Sequence, residues 1–127
     1  MFRSRIDENI ELRLLEEQHA EAAYRLLKEN RNHLQAELTW LTDQLTLEDA
    51  REYIRAGLAR QAANNGLRAG IWLNDELAGI ASLHGLVWAD RKASLGYWLG
   101  ESFQGQGLVT KACGSLINHA FGELDLN

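Results

Sequence analysis

The sequence predicts an α+β fold, a mostly antiparallel sheet flanked by helices in the order β-α-α-β-β-β-α, on the strength of three patterns. Alternation of apolar and polar residues marks strands near residues 10–15, 67–73, 77–88 and 93–99, the last three joined by tight turns. Apolar stripes at helical spacing run through residues 17–30 and again after Thr46. A polar, glycine-rich turn at residues 101–107 then separates the last strand from another amphipathic helix.

Each element has its own local reason. Ile10, Leu12 and Leu14 alternate with Glu11, Arg13 and Leu15, a short first strand. Ala22, Ala23, Leu26 and Leu27 form the stripe of the first helix, which ends or frays at residues 30–32. Residues 33–45 lack regular pattern and read as a loop or short helix, with Trp40 expected to cover the core in preference to touching substrate. Thr46 and Asp49 stand at capping-box spacing and open a helix whose main face is Ala50, Tyr53, Ile54, Gly57, Leu58 and Gln61; Asn64, Asn65 and Gly66 close it. Residues 67–73 make a strand, and Asn74, Asp75 and Glu76 turn it into a longer one, where Gly79 and Gly85 mark bulges or close packing. After a turn at Ala89, Asp90 and Arg91, the alternation of Ala93, Leu95, Tyr97 and Leu99 with Ser94, Gly96 and Trp98 completes a three-strand meander, with Tyr97 and Trp98 on opposite faces. Val109, Ala112, Cys113, Leu116, Ile117 and Ala120 form the last helical stripe. Gly105 and Gly107 therefore precede a helix N-terminus, where unpaired amides and the helix dipole favour an anion and a side chain would obstruct close approach.

Length and composition set the outer limits. A chain of 127 residues suits one soluble domain, residues 1–127, and its apolar runs are too short for a membrane span or a signal peptide, so a cytoplasmic protein is expected. Cys113 falls on the apolar stripe and reads as a buried, inert thiol. His19, His33, His84 and His119 are scattered without ligand spacing, and no metal is predicted. A net charge of −5 with no basic patch argues against a nucleic-acid partner and is mildly compatible with a cationic one, so an anionic cofactor would have to be held by local amides. The segment Gly105-Gln106-Gly107-Leu108-Val109-Thr110-Lys111 fits neither the G-x-G-x-x-G dinucleotide fingerprint nor the P-loop, and the strands before it read as hairpins rather than as βαβ units.

Gln104-Gly105-Gln106-Gly107-Leu108-Val109 resembles the Q/R-x-x-G-x-G/A signature of the GNAT superfamily of acyl-CoA-dependent N-acetyltransferases. Val109 stands where the broad pattern prefers Gly or Ala. Ser82-Leu83-His84, Asp90-Arg91-Lys92 and Gly96-Tyr97-Trp98-Leu99, with the early Glu11-Leu12-Arg13-Leu14-Leu15, look like the branch that acetylates the N-termini of ribosomal proteins, so the resemblance covers nearly the whole chain. It implies a fold that continues beyond Asn127 with a further strand, a helix and a hairpin, so the chain is expected to be C-terminally incomplete and to lack the residue that protonates the leaving thiolate.

The resemblance also implies a chemistry. Backbone amides of Gln104, Gly105, Gln106, Gly107, Leu108 and Val109, with Thr110 at the helix start, would hold the pyrophosphate of acetyl-CoA, while the main chain of Tyr97, Trp98 and Leu99 pairs with its pantetheine arm in the manner of an added strand. The Leu99 amide would polarise the thioester carbonyl, a contribution of about 2.7–4 kcal/mol for one well-placed donor. A primary amine, expected to be a protein N-terminus, would attack directly; its ordinary pKa of about 7.7–8.0 removes the need for a strong base. His84, Asp90 and Glu101 are the base candidates, although a strand residue, a turn former and a solvated charge are the favoured structural readings of each. Lys111 reads equally as an aid to the phosphates or as a plain surface lysine. A non-catalytic acyl-CoA-binding or interaction module on the same scaffold is the competing function, and homodimerisation is left open.

Overall fold

The computed structural model describes residues 3–6, 8–35, 38, 40–63, 66–87, 92–104, 107, 110–112 and 114–116. Five strands, β1 (Arg3–Arg5), β2 (Ile10–Leu14), β3 (Leu67–Leu73), β4 (Glu76–Val87) and β5 (Lys92–Leu99), form one antiparallel sheet in sequential order. Between β2 and β3 lie a 3₁₀ turn (Glu17–His19), α1 (Ala20–Glu29), the one-turn α2 (Arg31–Leu34) and α3 (Leu47–Ala62). A second 3₁₀ turn, Glu101–Phe103, follows β5, and residues 110–112 and 114–116 are helical.

Two of these elements depart from the expected order. The sequence reading begins the sheet at residue 10, but β1 precedes it and pairs with β2 in the register Arg3 to Arg13 and Arg5 to Glu11. Its sequence, RSR, carries no apolar alternation; main-chain pairing and the Arg5–Glu11 ion pair at 3.6 Å hold it, and a short charged strand suits a sheet edge. The other addition is α2, which begins where the sequence reading ends the first helix and runs into the stretch predicted as a loop or short helix.

The remaining elements follow from local chemistry. The Asp49 N–H donates to Thr46 Oγ1 at 3.1 Å and the Thr46 N–H to Asp49 Oδ2 at 3.0 Å, the reciprocal cap that starts α3. Asn74 and Asp75 have φ of 50° and 66°, the left-handed pair that a two-residue hairpin turn requires. Register shifts opposite Ile71/Trp72 and between His84 and Val87 place an extra residue in β4 at each point, Ala78 in the first. Gly79 lies next to that first shift, where a Cβ would come within 2.2 Å of the Trp98 carbonyl oxygen; close backbone packing is what its lack of a side chain serves.

Alternation along the strands gives the sheet two buried faces. Leu12, Leu14, Ala69, Ile71, Ala81, Leu83 and Leu99 share one core with Ala112 and Leu116 of the last helical stretch. Trp72, Ile80 and Trp98 face the other way and pack with Leu15, Ala23, Leu27, Leu34, Leu41 and Ile54 from the region of α1 to α3. The sheet is thus sandwiched between helices, and both faces of β5 are committed to packing around Trp98 and Leu99.

Candidate active site

β5 ends the sheet among the described residues, and its hydrogen-bonding phase can be fixed. The Gly100 N–H donates to the Ala78 carbonyl at 2.8 Å, so Gly100 and Trp98 turn their main-chain polar groups toward β4. By the same alternation the N–H groups of Tyr97 and Leu99, opposite Ala81 and Gly79, point to the outer edge. An extended acceptor or donor chain can pair there as a further strand would.

The chain leaves this edge through a braced turn. Asn30, just past the end of α1, accepts the Glu101 N–H at Oδ1 (2.8 Å) while its own amide donates to the Leu26 carbonyl (2.9 Å). Gln104 and His33 meet side chain to side chain at 3.0 Å between Nε2 atoms. Gly100 fits against α1 so closely that a Cβ would lie 3.0 Å from Leu26 Cδ1 and 3.1 Å from Asn30 Nδ2. Gly107 then takes φ of 71°, a left-handed conformation that glycine adopts without penalty, and its carbonyl accepts the Lys111 N–H at 3.2 Å. Among the described residues that is the first helical hydrogen bond, so Gly107 stands at a helix N-terminus, and no described atom lies within 4 Å of where its Cβ would be.

Beside β5, on the face covered by α3, lies a groove of about 350 Å³ lined by residues of the segment before α3, of α3 and of β3, β4 and β5. Tyr53 is its centre. The Trp98 indole N–H donates to the Tyr53 hydroxyl at 3.2 Å, the Trp40 ring lies 5.2 Å away centroid to centroid, and the Arg68 guanidinium carbon sits 3.8 Å over the Tyr53 ring. Arg68 donates from Nη1 to the Tyr53 carbonyl and from Nε to Ser82 Oγ at 3.4 Å. Gly57 makes room for it: a Cβ there would stand 2.8 Å from Arg68 Cβ. Burial pulls the Arg68 guanidinium below its ordinary pKa, opposed by Tyr53 and reinforced by the like charge of Arg60. Among the described residues that line the groove no side chain is a carboxylate or an imidazole, so none there is a strong base.

The outward amides of β5, the turn after it and the helical stretch from Thr110 follow one another in the chain, and the acetyltransferase (GNAT) domain model matches residues 9–127. The chain belongs to the GNAT acetyltransferase family. This GNAT chain is 39% identical, over its full length, to 70% of YdaF of Bacillus subtilis (strain 168), which is provisionally named a ribosomal N-acetyltransferase. It is 31% identical over 91% of its length to the ribosomal-protein-serine acetyltransferase of Escherichia coli (strain K12), covering 64% of that protein. A solved structure of RimL, the ribosomal L7/L12 alpha-N-protein acetyltransferase, in complex with coenzyme A superposes with a TM-score of 0.89 at 26% identity, covering 98% of this chain and 71% of that one.

Within this GNAT fold the sequence-derived candidates separate. Tyr97, Trp98, Leu99, Gln104, Gly107 and Thr110 follow one another along the edge, turn and helix start. Gly105, Gln106, Leu108, Val109, Cys113 and Asp90 lie outside the described residues. His84 pairs with Ser94 near the second bulge of β4, and Glu101 is exposed with its main chain tied to Asn30. Trp40 is the clear correction: it is 42% exposed and lines the groove with Tyr53 instead of covering the core, because Leu34, Leu41 and Ile54 already fill the space beneath.

Sequence reasoning passed over Arg68, Arg60, Asn30 and His33. Arg68 carried a readable signal, a cation near the start of an otherwise apolar strand, whose neighbours Leu67 and Ala69 turn to the opposite core. Asn30 and His33 act across about seventy residues of sequence, a distance at which no local pattern operates.

Proposed function

We propose that this chain is an acetyl-CoA-dependent N-acetyltransferase, a single domain that moves an acetyl group to a primary amine, specifically to a protein N-terminal α-amine of the ribosomal-protein type. The observation that carries the reading is the outward-facing Leu99 N–H on an outer sheet edge that runs, through a turn braced by Asn30 and His33, into the helix N-terminus at Gly107. The names of the two relatives and the coenzyme A in the RimL structure support the cosubstrate and the acceptor class.

Acetyl-CoA supplies an activated acyl thioester. The chain's part is positional and electrostatic. The edge of β5 aligns the carrier's amide-bearing arm, and the amides around Gly107 take its phosphates. The Leu99 N–H stabilises negative charge at the carbonyl oxygen during attack. Trp98, Tyr53 and Trp40 shape the acceptor side and keep water from it, while the Trp98–Tyr53 hydrogen bond fixes the Tyr53 hydroxyl at its floor. An α-amine reaches the thioester already partly neutral at pH 7, so proton loss to water, with His84, Asp90 or Glu101 as receiving group, completes the transfer.

Titration with coenzyme A, followed by thiol release over a panel of N-terminal peptides and small amines, tests the proposal. Saturable binding with thiol release is expected. Binding without release from any amine would leave a binding module, and no binding would remove the cofactor assignment.

A further inference from the structure

Within the acceptor side of the site, and resting on that reading, we infer that Arg68 and Arg60 form a carboxylate subsite that selects acceptor peptides bearing Asp or Glu close to the reacting α-amine. Arg68 is 8% exposed, yet its partners are the Tyr53 carbonyl, the Ser82 hydroxyl and the Tyr53 ring, all neutral. Buried arginines are ordinarily matched by an anion, because desolvating an unneutralised guanidinium is costly. No carboxylate among the described residues pairs with Arg68 or with Arg60, and both line the same groove. The contrast with other arginines is internal to the chain: Arg13 meets Glu11 and Asp75, and Arg55 meets Glu17, Glu48 and Glu52.

Arg68 lines the groove with donors to spare. A guanidinium has five N–H groups; Nε–H and one Nη1–H are engaged, which leaves the second Nη1–H and both Nη2–H groups to donate to a carboxylate. Tyr53 beneath the guanidinium plane and Gly57 behind Arg68 Cβ hold it in place, so little freedom is lost on binding. Gly96 and Trp98 of β5 form the neighbouring wall, placing the subsite beside the edge where the acyl group is presented. The overall charge of −5 would repel an acidic acceptor, but the groove wall carries two arginines and no acid among the described residues, a local reversal that overrides the mild preference for cations suggested by composition.

The test uses matched peptide pairs with a free α-amine and either Asp or Asn at the second and third positions. For the unmodified chain kcat/KM should favour the acidic peptide by about tenfold or more, the worth of one charge-assisted hydrogen bond, chiefly through KM. Arg68→Gln should bring the acidic-to-neutral ratio close to one, and Arg60→Gln, at an exposed helix position, should reduce it by about threefold. Tryptophan fluorescence titrations with the same peptides give the ratio without turnover, and coenzyme A binding checks that each variant is folded. If Arg68→Gln does not fold, Arg60→Gln and the salt dependence of the ratio decide. Acetylation of both peptides at equal efficiency, or a ratio that survives both substitutions, overturns the subsite and leaves the acetyltransferase assignment standing. Absence of thiol release from every peptide overturns the latter instead, and discrimination in fluorescence titrations then still supports the subsite.

Discussion

Gly107 shows how much can depend on one backbone angle. No described atom lies within 4 Å of where its Cβ would be, so crowding among the described residues does not require glycine; φ of 71° does. Gly107→Val is expected to cost about 1–2 kcal/mol in stability from the left-handed conformation and to abolish saturable coenzyme A binding, read by calorimetry beside a melting curve. Unchanged affinity would place the phosphate site elsewhere. His19 makes a different kind of prediction. Its Nδ1 accepts the Glu16 N–H at 3.0 Å and its ring lies 5.2 Å from that of Trp72, and burial lowers its pKa, with Glu16 opposing and Arg13 adding to the shift. The folded chain therefore binds fewer protons than the unfolded one as pH falls through the unfolded value of about 6.5, and stability declines there. Melting temperature should drop between pH 7 and pH 5, and His19→Asn should flatten that drop.

Two close contacts show how neighbouring elements are coupled. The first is between β4 and β5, where Gly79→Ala drives a methyl into the Trp98 carbonyl and should destabilise the protein by about 1–3 kcal/mol in urea unfolding. Because the displaced strand is the one that presents the Leu99 N–H, turnover should fall further than stability alone explains. The second is between α1 and the turn Glu101–Phe103. Asn30→Ala removes the acceptor for the Glu101 N–H and should cost about 1 kcal/mol, with weaker coenzyme A binding as its specific signature. These elements also show what local pattern can reveal. Residues 67–73, the turn at Asn74 and Asp75, the Thr46–Asp49 cap and the opposite facing of Tyr97 and Trp98 were all legible, since each is set by neighbours in sequence. The strand Arg3–Arg5 was not, because pairing with β2 rather than its own composition makes it a strand.

Across the molecule, the sheet divides the core in two and the site forms where both halves meet β5. Leu99 is anchored in one core and Trp98 in the other, so the strand that carries the proposed oxyanion amide is held from both faces while its outer edge remains available among the described residues. The edge, turn and helix start proposed for the cofactor are consecutive in sequence, and their strand and helical residues could be read in advance. The groove proposed for the acceptor could not: Trp40, Tyr53, Arg68 and Trp98 come from four separate segments and converge only when α3 lies on the sheet. Charge behaves likewise, with a net acidic chain enclosing an arginine-lined groove. The most direct measurement is mass spectrometry of a peptide carrying both a free α-amine and a lysine, incubated with this chain and acetyl-CoA. One acetyl group on the α-amine, matched by one equivalent of released thiol, is the expected result; acetylation confined to the lysine, or coenzyme A binding with no acetylation, would contradict it.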